Sequence, residues 1–235
     1  NPTSAPTLRH RLEYGVFRLL DGVLGRLPWA TVQALGEAAG ELFYLVDPRH
    51  RRIVRENLRF AELGLSEAET RAMARACFRH LGSLFISLLR LRHATPEELD
   101  RWIKVEGLEH FDAAQASGKG FIQLTGHYGN WEAVALAQSR HGRTIDAIGR
   151  ELDNPLLEPI SVGFRTRFGN RVILKDGAMR ETLRSLKAGR GVGFLLDQDA
   201  LTMGVWVRFL GQWASTFATA GSLAARYGLP VLPVF

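Results

Sequence analysis

The sequence FIQLTGHYGNWE occupies residues 121–132 and decides the fold. Its first five residues are mostly apolar, which predicts a buried β-strand over Phe121–Thr125. Gly126 and Gly129 predict a tight turn directly after that strand. The helical pattern that follows covers Trp131–Arg140. A strand, a turn and a helix in this order are typical of a βαβ unit and therefore of a parallel sheet.

The same alternation of short apolar runs and helical stretches continues from about Lys104 to the end of the chain. It predicts an α/β fold with a mostly parallel mixed sheet flanked by helices. The further predicted strands are Thr144–Ile148, Arg171–Leu174, Val192–Leu196, Val205–Phe209 and Val231–Phe235. The further predicted helices are Pro155–Phe168, Ala178–Lys187 and Phe217–Tyr227.

The first hundred residues read as helices instead. Apolar residues recur every three or four positions over Leu8–Leu27, and a second helical pattern covers Ala30–Val46. Pro48 opens a basic helix that reaches Phe60, and a capping box at Ser66 opens a long helix. We therefore expect a helical region over residues 1–100 and an α/β core over 101–235. Because the chain stops inside an apolar run, we expect the C-terminal part of that core to be missing.

Composition places the chain among ordinary globular proteins: 46% of its 235 residues are hydrophobic and 23% are charged. A single cysteine, Cys77, excludes a disulfide framework and a cysteine-based zinc site. The formal net charge of +6 suits nucleic acid, an acidic protein or an anionic membrane. No nucleic-acid-binding motif is present, so nucleic acid ranks last. No apolar run reaches the roughly 18–20 residues that span a bilayer.

The chemistry of residues 121–132 centres on His127 and Glu132. An imidazole at a strand end can act as a general base near neutral pH, and a carboxylate can fix its tautomer. Residues five apart do not share a helix face, because each residue turns the helix by about 100°. The pair therefore meets only if His127 lies in the turn and Glu132 lies on the helix.

Three further stretches carry candidate functional residues. Arg150 follows a predicted strand, and Arg165 lies on the helix after Asn154-Pro155. Asp197 and Asp199 follow another predicted strand, where two carboxylates are also compatible with Mg²⁺. Ser215 or Thr216 precedes a predicted helix and could be its N-cap or part of an anion site at its start. Both residues are therefore candidate functional residues. Serine-hydrolase, dinucleotide-binding, P-loop and His-Glu-x-x-His signatures are absent from the sequence.

Taken together, these motifs resemble the bacterial lipid A biosynthesis (lauroyl/myristoyl) acyltransferase family, which includes phosphatidylinositol mannoside acyltransferases and is related to the glycerolipid acyltransferases. The resemblance rests on His-x4-Glu with Gly-Asn-Trp inside it, Asn154-Pro155 followed by Arg165, the Asp197-Gln198-Asp199 triplet and Val207–Gly211. The motifs occur in the family's order. Leu210 stands where members commonly carry a second phenylalanine.

The resemblance implies an O-acyltransferase that moves a fatty acyl group from acyl-carrier protein or acyl-CoA to a hydroxyl of a membrane glycolipid. It implies His127 as the general base with Glu132 assisting it. It also implies substrate binding by four residues: Asn130, Arg150, Arg165 and Asp197. No metal and no cofactor beyond the acyl co-substrate is expected.

The resemblance also favours a membrane role for the basic amphipathic stretch Leu8–Leu27, although its pattern alone fits a core-facing helix slightly better. It implies a peripheral protein on an anionic membrane surface, at the cytoplasmic face of the bacterial inner membrane. Two alternatives stay open: a non-catalytic protein that binds lipid or acyl carrier, and a thioesterase that passes the acyl group to water.

Overall fold

A computed structural model describes residues 5–174 and 177–235 of the chain. These residues fall into two compact units. The first comprises residues up to Leu19, Ala94–Gln198 and Phe217–Phe235, and the second comprises Leu20–His93 and Asp199–Thr216. Neither unit is one continuous segment, which differs from the single division expected near residue 100.

The first unit is built on a parallel sheet, so the predicted α/β class is confirmed. In the described part of the chain its strands lie in the order β3 (Arg171–Leu174), β2 (Ile145–Gly149), β4 (Gly191–Leu195), β1 (Phe121–Thr125) and β7 (Val231–Pro233). Every pairing between these neighbours is parallel.

Helices cover this sheet and complete two apolar layers. They are α5 (Pro96–Trp102), α6 (Leu108–Ala116), α7 (Trp131–Arg140), α8 (Glu158–Arg165), α9 (Ala178–Lys187) and α10 (Thr219–Tyr227). Ile122 belongs to one layer with Leu186 of α9 and Leu223 of α10. Phe121 belongs to the other layer, where its ring packs edge to face on that of Phe111 of α6, with the ring centroids 4.9 Å apart. Successive residues of β1 thus point to opposite layers, as the two-residue period of a strand requires.

Helix α1 (Leu8–Leu24) confirms the predicted N-terminal amphipathic helix. The buried side-chain amide of Asn154 donates to the His10 carbonyl oxygen and to Glu13 Oε2, both at 3.0 Å. The apolar side chains of α1, which include Leu12 and Val16, are largely exposed. Asn154 therefore holds the start of α1 within the first unit while the apolar stripe of the helix stays open.

The second unit contains α2 (Trp29–Val46), α3 (Pro48–Phe60) and α4 (Glu67–Arg92), close to the predicted bounds. Local capping explains their starts. Asp47 accepts a hydrogen bond from the His50 backbone N–H at 3.0 Å, and Ser66 forms the predicted capping box with Glu69. Cys77 lies on α4 and is half-buried, and burial raises the pKa of its thiol.

A buried ion pair fixes the end of α4 in this unit. Arg92 donates two hydrogen bonds to Asp21, at 2.9 and 2.6 Å, and His93 Nε2 lies 2.9 Å from the same carboxylate. Burial alone would raise the pKa of Asp21. The hydrogen bonds and charges of Arg92 and His93 outweigh that effect, so its pKa lies below the ordinary value.

The second unit also holds a hairpin that corrects one sequence prediction. Strand β5 (Val205–Phe209) does not join the parallel sheet but pairs antiparallel with β6 (Gln212–Thr216). The predicted N-cap at Ser215 or Thr216 is wrong, because both residues lie in β6 and Ala218 occupies the N-cap position of α10. The sequence did not predict β6, because a short stretch that ends in serine and threonine also resembles the start of a helix.

Among the helices of residues 5–174 and 177–235, none combines the length and the apolar character that a membrane crossing requires.

Candidate functional site

The candidate site lies at the carboxyl ends of two neighbouring strands. Strands β1 and β4 pair in parallel, with Thr125 opposite Leu195. His127 follows the end of β1 by two residues, and Asp197 follows the end of β4 by two residues. Parallel pairing therefore brings together two side chains that are 70 positions apart in the sequence. The carboxyl edge of a parallel sheet is where α/β folds usually form their sites.

Asp197 holds His127 through two hydrogen bonds. Its Oδ1 lies 2.8 Å from His127 Nδ1, and its Oδ2 accepts from the His127 backbone N–H at 2.5 Å. This double contact fixes both the main chain of the turn and the plane of the imidazole. With Nδ1–H donated to the carboxylate, Nε2 is left as the basic nitrogen. The two side chains are 34% and 32% exposed, so a substrate can reach the pair.

Glycine at two positions makes this turn possible. A Cβ on residue 126 would lie 2.8 Å from Asp197 Oδ2, so Gly126 allows the carboxylate to approach the backbone. Gly129 has a φ of +56°, in the left-handed region that favours glycine. The turn thus needs glycine at these two positions for different physical reasons: room for a carboxylate at one and a left-handed backbone at the other.

The Glu132 carboxylate binds Arg165 in this structure. Arg165 Nε lies 3.0 and 3.1 Å from the two carboxylate oxygens, and Arg165 Nη2 lies 2.5 Å from Oε1. Among the described residues, the carboxylate bonded to the His127 ring is that of Asp197, which is a different partner from the expected Glu132. His127 does lie in the turn and Glu132 on α7, as predicted, but the side chain of Glu132 is turned toward α8.

The ion pair between Glu132 and Arg165 is well shielded from solvent. The Glu132 side chain is 13% exposed and that of Arg165 is 29% exposed. Burial would lower the pKa of Arg165, but the hydrogen bonds and charge of Glu132 outweigh it and raise that pKa. A Cβ on residue 149 would lie 3.3 Å from Arg165 Nη1, so Gly149 at the end of β2 gives the guanidinium room. The pair therefore links the start of α7 to the ends of α8 and β2.

Asn130 and Trp131 complete the turn. Asn130 Oδ1 accepts from the Ala133 backbone N–H at 3.0 Å, which makes it the N-cap of α7. The Trp131 ring meets the His127 imidazole edge to face, with centroids 4.6 Å apart. The sequence alone did not reveal this contact. A large aromatic residue four positions after a candidate base was the available signal.

The remaining candidates have other contacts. Arg150 is largely exposed and binds Asp153 and the Glu151 carbonyl oxygen. Asp199 Oδ1 accepts from the Leu201 backbone N–H at 2.8 Å in the second unit, where it stabilises a turn. Within the described ranges, no three histidine, cysteine or carboxylate side chains are grouped closely enough to hold a metal ion.

Comparison with known proteins identifies a family. The family described as bacterial lipid A biosynthesis acyltransferase matches residues 5–235. The chain is 27% identical to the lipid A biosynthesis lauroyltransferase of Escherichia coli K12 over 176 residues, which are 74% of this chain and 56% of that protein. It is 30% identical to the phosphatidylinositol mannoside acyltransferase of Mycobacterium tuberculosis CDC 1551 over 141 residues, 58% of this chain and 44% of that protein.

A third relative extends the match along the chain. The lipid A biosynthesis myristoyltransferase of E. coli K12 is 24% identical over 202 residues, 86% of this chain and 61% of that protein. The chain thus spans between 44% and 61% of the length of these three relatives.

Proposed function

Because the chain belongs to the bacterial lipid A biosynthesis acyltransferase family, we propose that the protein transfers a fatty acyl group from a thioester to a hydroxyl of a membrane glycolipid. The observation that carries this proposal is the pairing of His127 with Asp197 at the ends of β1 and β4. The names of the relatives support an acceptor of the lipid A or phosphatidylinositol mannoside type.

In this mechanism His127 is the general base. Its Nε2 removes the proton from the acceptor hydroxyl, and the resulting oxyanion attacks the thioester carbonyl. The tetrahedral intermediate collapses by breaking the carbon–sulfur bond. The leaving thiolate takes the proton from Nε2, which returns His127 to its neutral form. Asp197 fixes the imidazole tautomer and stabilises the imidazolium that forms. The acceptor hydroxyl itself is the nucleophile, so no covalent acyl-enzyme is formed.

Glu132 assists indirectly in this scheme. Its bidentate pair with Arg165 holds the guanidinium beside the end of β2. These bonds use Nε and Nη2 of Arg165, and we assign Nη1 to bind acceptor phosphate or developing charge. Asn130 orders the turn as the N-cap of α7, and Arg150 and Asn130 stay predicted substrate contacts.

The acyl donor is proposed to be acyl-CoA or acyl-carrier protein. The net charge of +6 suits an acidic carrier protein and an anionic lipid surface alike. The exposed apolar stripe of α1, with arginines among its polar positions, supports peripheral attachment to a membrane. We propose that the protein acts at the cytoplasmic face of the inner membrane.

An acyl-transfer assay tests the proposal. Purified protein is mixed with labelled acyl-CoA or acyl-carrier protein and with extracted bacterial lipids, and the lipid products are analysed by mass. We expect a labelled lipid from the unmodified protein and from His110→Ala, because His110 is an exposed histidine outside the site. His127→Ala should make none.

Three results would contradict the proposal in different ways. Normal transfer by His127→Ala would exclude His127 as the general base. Labelled free fatty acid in place of labelled lipid would show a thioesterase, for which the exposure of His127 leaves access to water. Donor binding without any product would show a non-catalytic carrier- or lipid-binding protein.

A further inference from the structure

The hairpin of β5 and β6 carries large apolar side chains that stand in solvent. Trp206 is 67% exposed, Phe209 is 59% exposed, and Leu210 and Trp213 are each 54% exposed. The strand register places Trp206 opposite Ser215 and Arg208 opposite Trp213. The two tryptophans and Arg208 therefore share one face, while Phe209 lies on the other. Both faces of the hairpin are apolar, so packing against a single core layer does not explain them.

The turn of the hairpin also carries an exposed apolar side chain. Leu210 has a φ of +48° and Gly211 a φ of +81°, so both turn residues are left-handed. Two-residue turns of this kind favour Asn-Gly or Asp-Gly, because a bulky side chain is strained at positive φ. Leucine here is conformationally unfavourable, and its side chain is exposed rather than buried. Strain that is kept at an exposed position indicates a role outside the fold.

The hairpin is held firmly at its base. Ser215 Oγ donates to the Leu201 carbonyl oxygen at 2.7 Å, and the Ala200 backbone N–H donates to the Ser215 carbonyl oxygen at 3.1 Å. These bonds join the 3₁₀ turn at Leu201–Met203 to β6. Leu201 and Met203 are 70% and 76% exposed, so they extend the apolar surface. We call residues 201–213 the apolar hairpin surface.

Its chemistry matches a lipid headgroup region. Tryptophan rings with a polar N–H are enriched at the boundary between water and hydrocarbon. Residues 200–216 contain no aspartate or glutamate, and their one charged residue is Arg208. Arg208 lies 4.5 Å from the Trp213 ring centroid and donates to the Gly211 carbonyl oxygen at 2.7 Å. A cation held over a tryptophan ring, with no carboxylate beside it in this stretch of sequence, complements anionic lipid phosphates.

We infer that the apolar hairpin surface inserts into the interfacial layer of an anionic bilayer. Leu210 and Phe209 enter the acyl boundary, the tryptophans lie at headgroup level, and Arg208 binds phosphate. The hairpin stays at the interface, because the outer edges of two strands need water or headgroups as hydrogen-bond partners. This membrane contact is additional to that of α1 and rests on the proposed function only for its lipid setting.

Leu210→Asn separates membrane binding from folding. Asparagine with Gly211 forms a better turn, so the free energy of unfolding should rise or stay unchanged. Binding to vesicles of phosphatidylglycerol and phosphatidylethanolamine should nevertheless weaken about tenfold, as expected for one leucine withdrawn from hydrocarbon. Leu63→Asn is the matched control, since Leu63 is also exposed and also precedes a left-handed glycine. It should bind as the unmodified protein does.

Fluorescence locates the contact. The chain has five tryptophans, and vesicles with brominated acyl chains should quench the emission of Trp206 and Trp213. The Trp206→Phe/Trp213→Phe variant should lose that quenching. Unchanged vesicle binding by Leu210→Asn, or quenching that is undiminished in the double variant, would overturn the inference. A dimer in lipid-free buffer that Leu210→Asn dissociates would overturn it too and would assign the surface to a second copy of the chain.

The vesicle assay contains no acyl donor, so its result is independent of turnover. Tight, hairpin-dependent binding without acyl transfer would count against the proposed function alone. Normal transfer with hairpin-independent binding would count against the hairpin alone.

Discussion

Replacing Asp197 with asparagine tests which carboxylate serves His127. The substitution keeps the shape of the side chain, but the new amide group has one acceptor oxygen where the carboxylate has two. If that oxygen accepts the His127 backbone N–H now bonded at 2.5 Å, the amide nitrogen faces His127 Nδ1. An N–H donor at that position requires Nδ1 to accept, so the ring proton moves to Nε2. The nitrogen assigned as the base then carries a proton and cannot remove another.

The expected loss follows from this change of tautomer and from the lost charge. Buried triads lose about four orders of magnitude when their aspartate becomes asparagine. Here both side chains are about one-third exposed, so solvent replaces part of the lost interaction. We therefore expect kcat to fall about 10²–10³-fold, which is about 3–4 kcal/mol of transition-state stabilisation. The KM values for donor and acceptor should change little, because the Asp197 carboxylate is engaged by His127 rather than by a substrate in this mechanism.

Two measurements check this expectation together. Acyl-transfer kinetics give kcat and KM, and ¹⁵N NMR of labelled histidine shows which ring nitrogen of His127 is protonated. Asp112→Asn is the control, because Asp112 is an exposed aspartate that pairs with Arg143, outside the candidate site. A normal kcat for Asp197→Asn, or an unchanged His127 tautomer together with a low kcat, would refute the assignment of Asp197 as the positioning residue.

Three further substitutions probe the surroundings. Glu132→Gln leaves the Arg165 guanidinium without its carboxylate, so the free energy of unfolding should fall by about 2–3 kcal/mol and kcat should fall as well; urea unfolding and kinetics measure both, and an unchanged rate would remove Glu132 from the mechanism. Gly126→Ala pushes a methyl group against the Asp197 carboxylate that bonds His127. We expect kcat to fall about tenfold and the free energy of unfolding to fall by about 1 kcal/mol. Full activity would show that the close approach of the Asp197 carboxylate to the backbone at residue 126 is dispensable. The pKa of Asp21 lies below its ordinary value, so the stability from its pair with Arg92 is complete above about pH 4 and is lost as the pH falls through the folded pKa. Asp21→Asn should cost about 2 kcal/mol at pH 7 and flatten the decline of stability in acid; an equally steep decline in the variant would place the acid sensitivity elsewhere.

Much of the fold was readable from the sequence because its signals are local. Capping residues such as Ser66 and Asp47 mark helix starts, and the apolar run of β1 ends where the glycines begin. The hairpin was only half readable. Strand β5 has the composition of a buried strand, and nothing in its pattern shows that its partner is the next segment rather than the parallel sheet. The second unit likewise takes up residues 199–216 through contacts that no local pattern reports.

The site was readable as a set of residues but not as a set of pairs. His127, Asp197, Glu132 and Arg165 were all predicted, and the structure joins them as two pairs rather than one dyad with separate binding residues. Sequence proximity favoured Glu132 as the partner of His127. The actual partner depends on β4 lying next to β1, and strand order is a property of the whole sheet. The catalytic and binding roles of these residues stay predictions for the experiments above.

The position of β4 has a consequence for how the protein reaches its active form. Strand β4 lies between β1 and β2, which both leave the ribosome before it. The nascent chain can pair β2 with β3 early, but β1 has no native neighbour until β4 is synthesised. Contacts of such long sequence separation form slowly. The contact between His127 and Asp197 closes only when β4 is inserted. The return of the proposed acyl transfer during refolding would therefore time the insertion of β4 between β1 and β2, later than the return of helical circular dichroism.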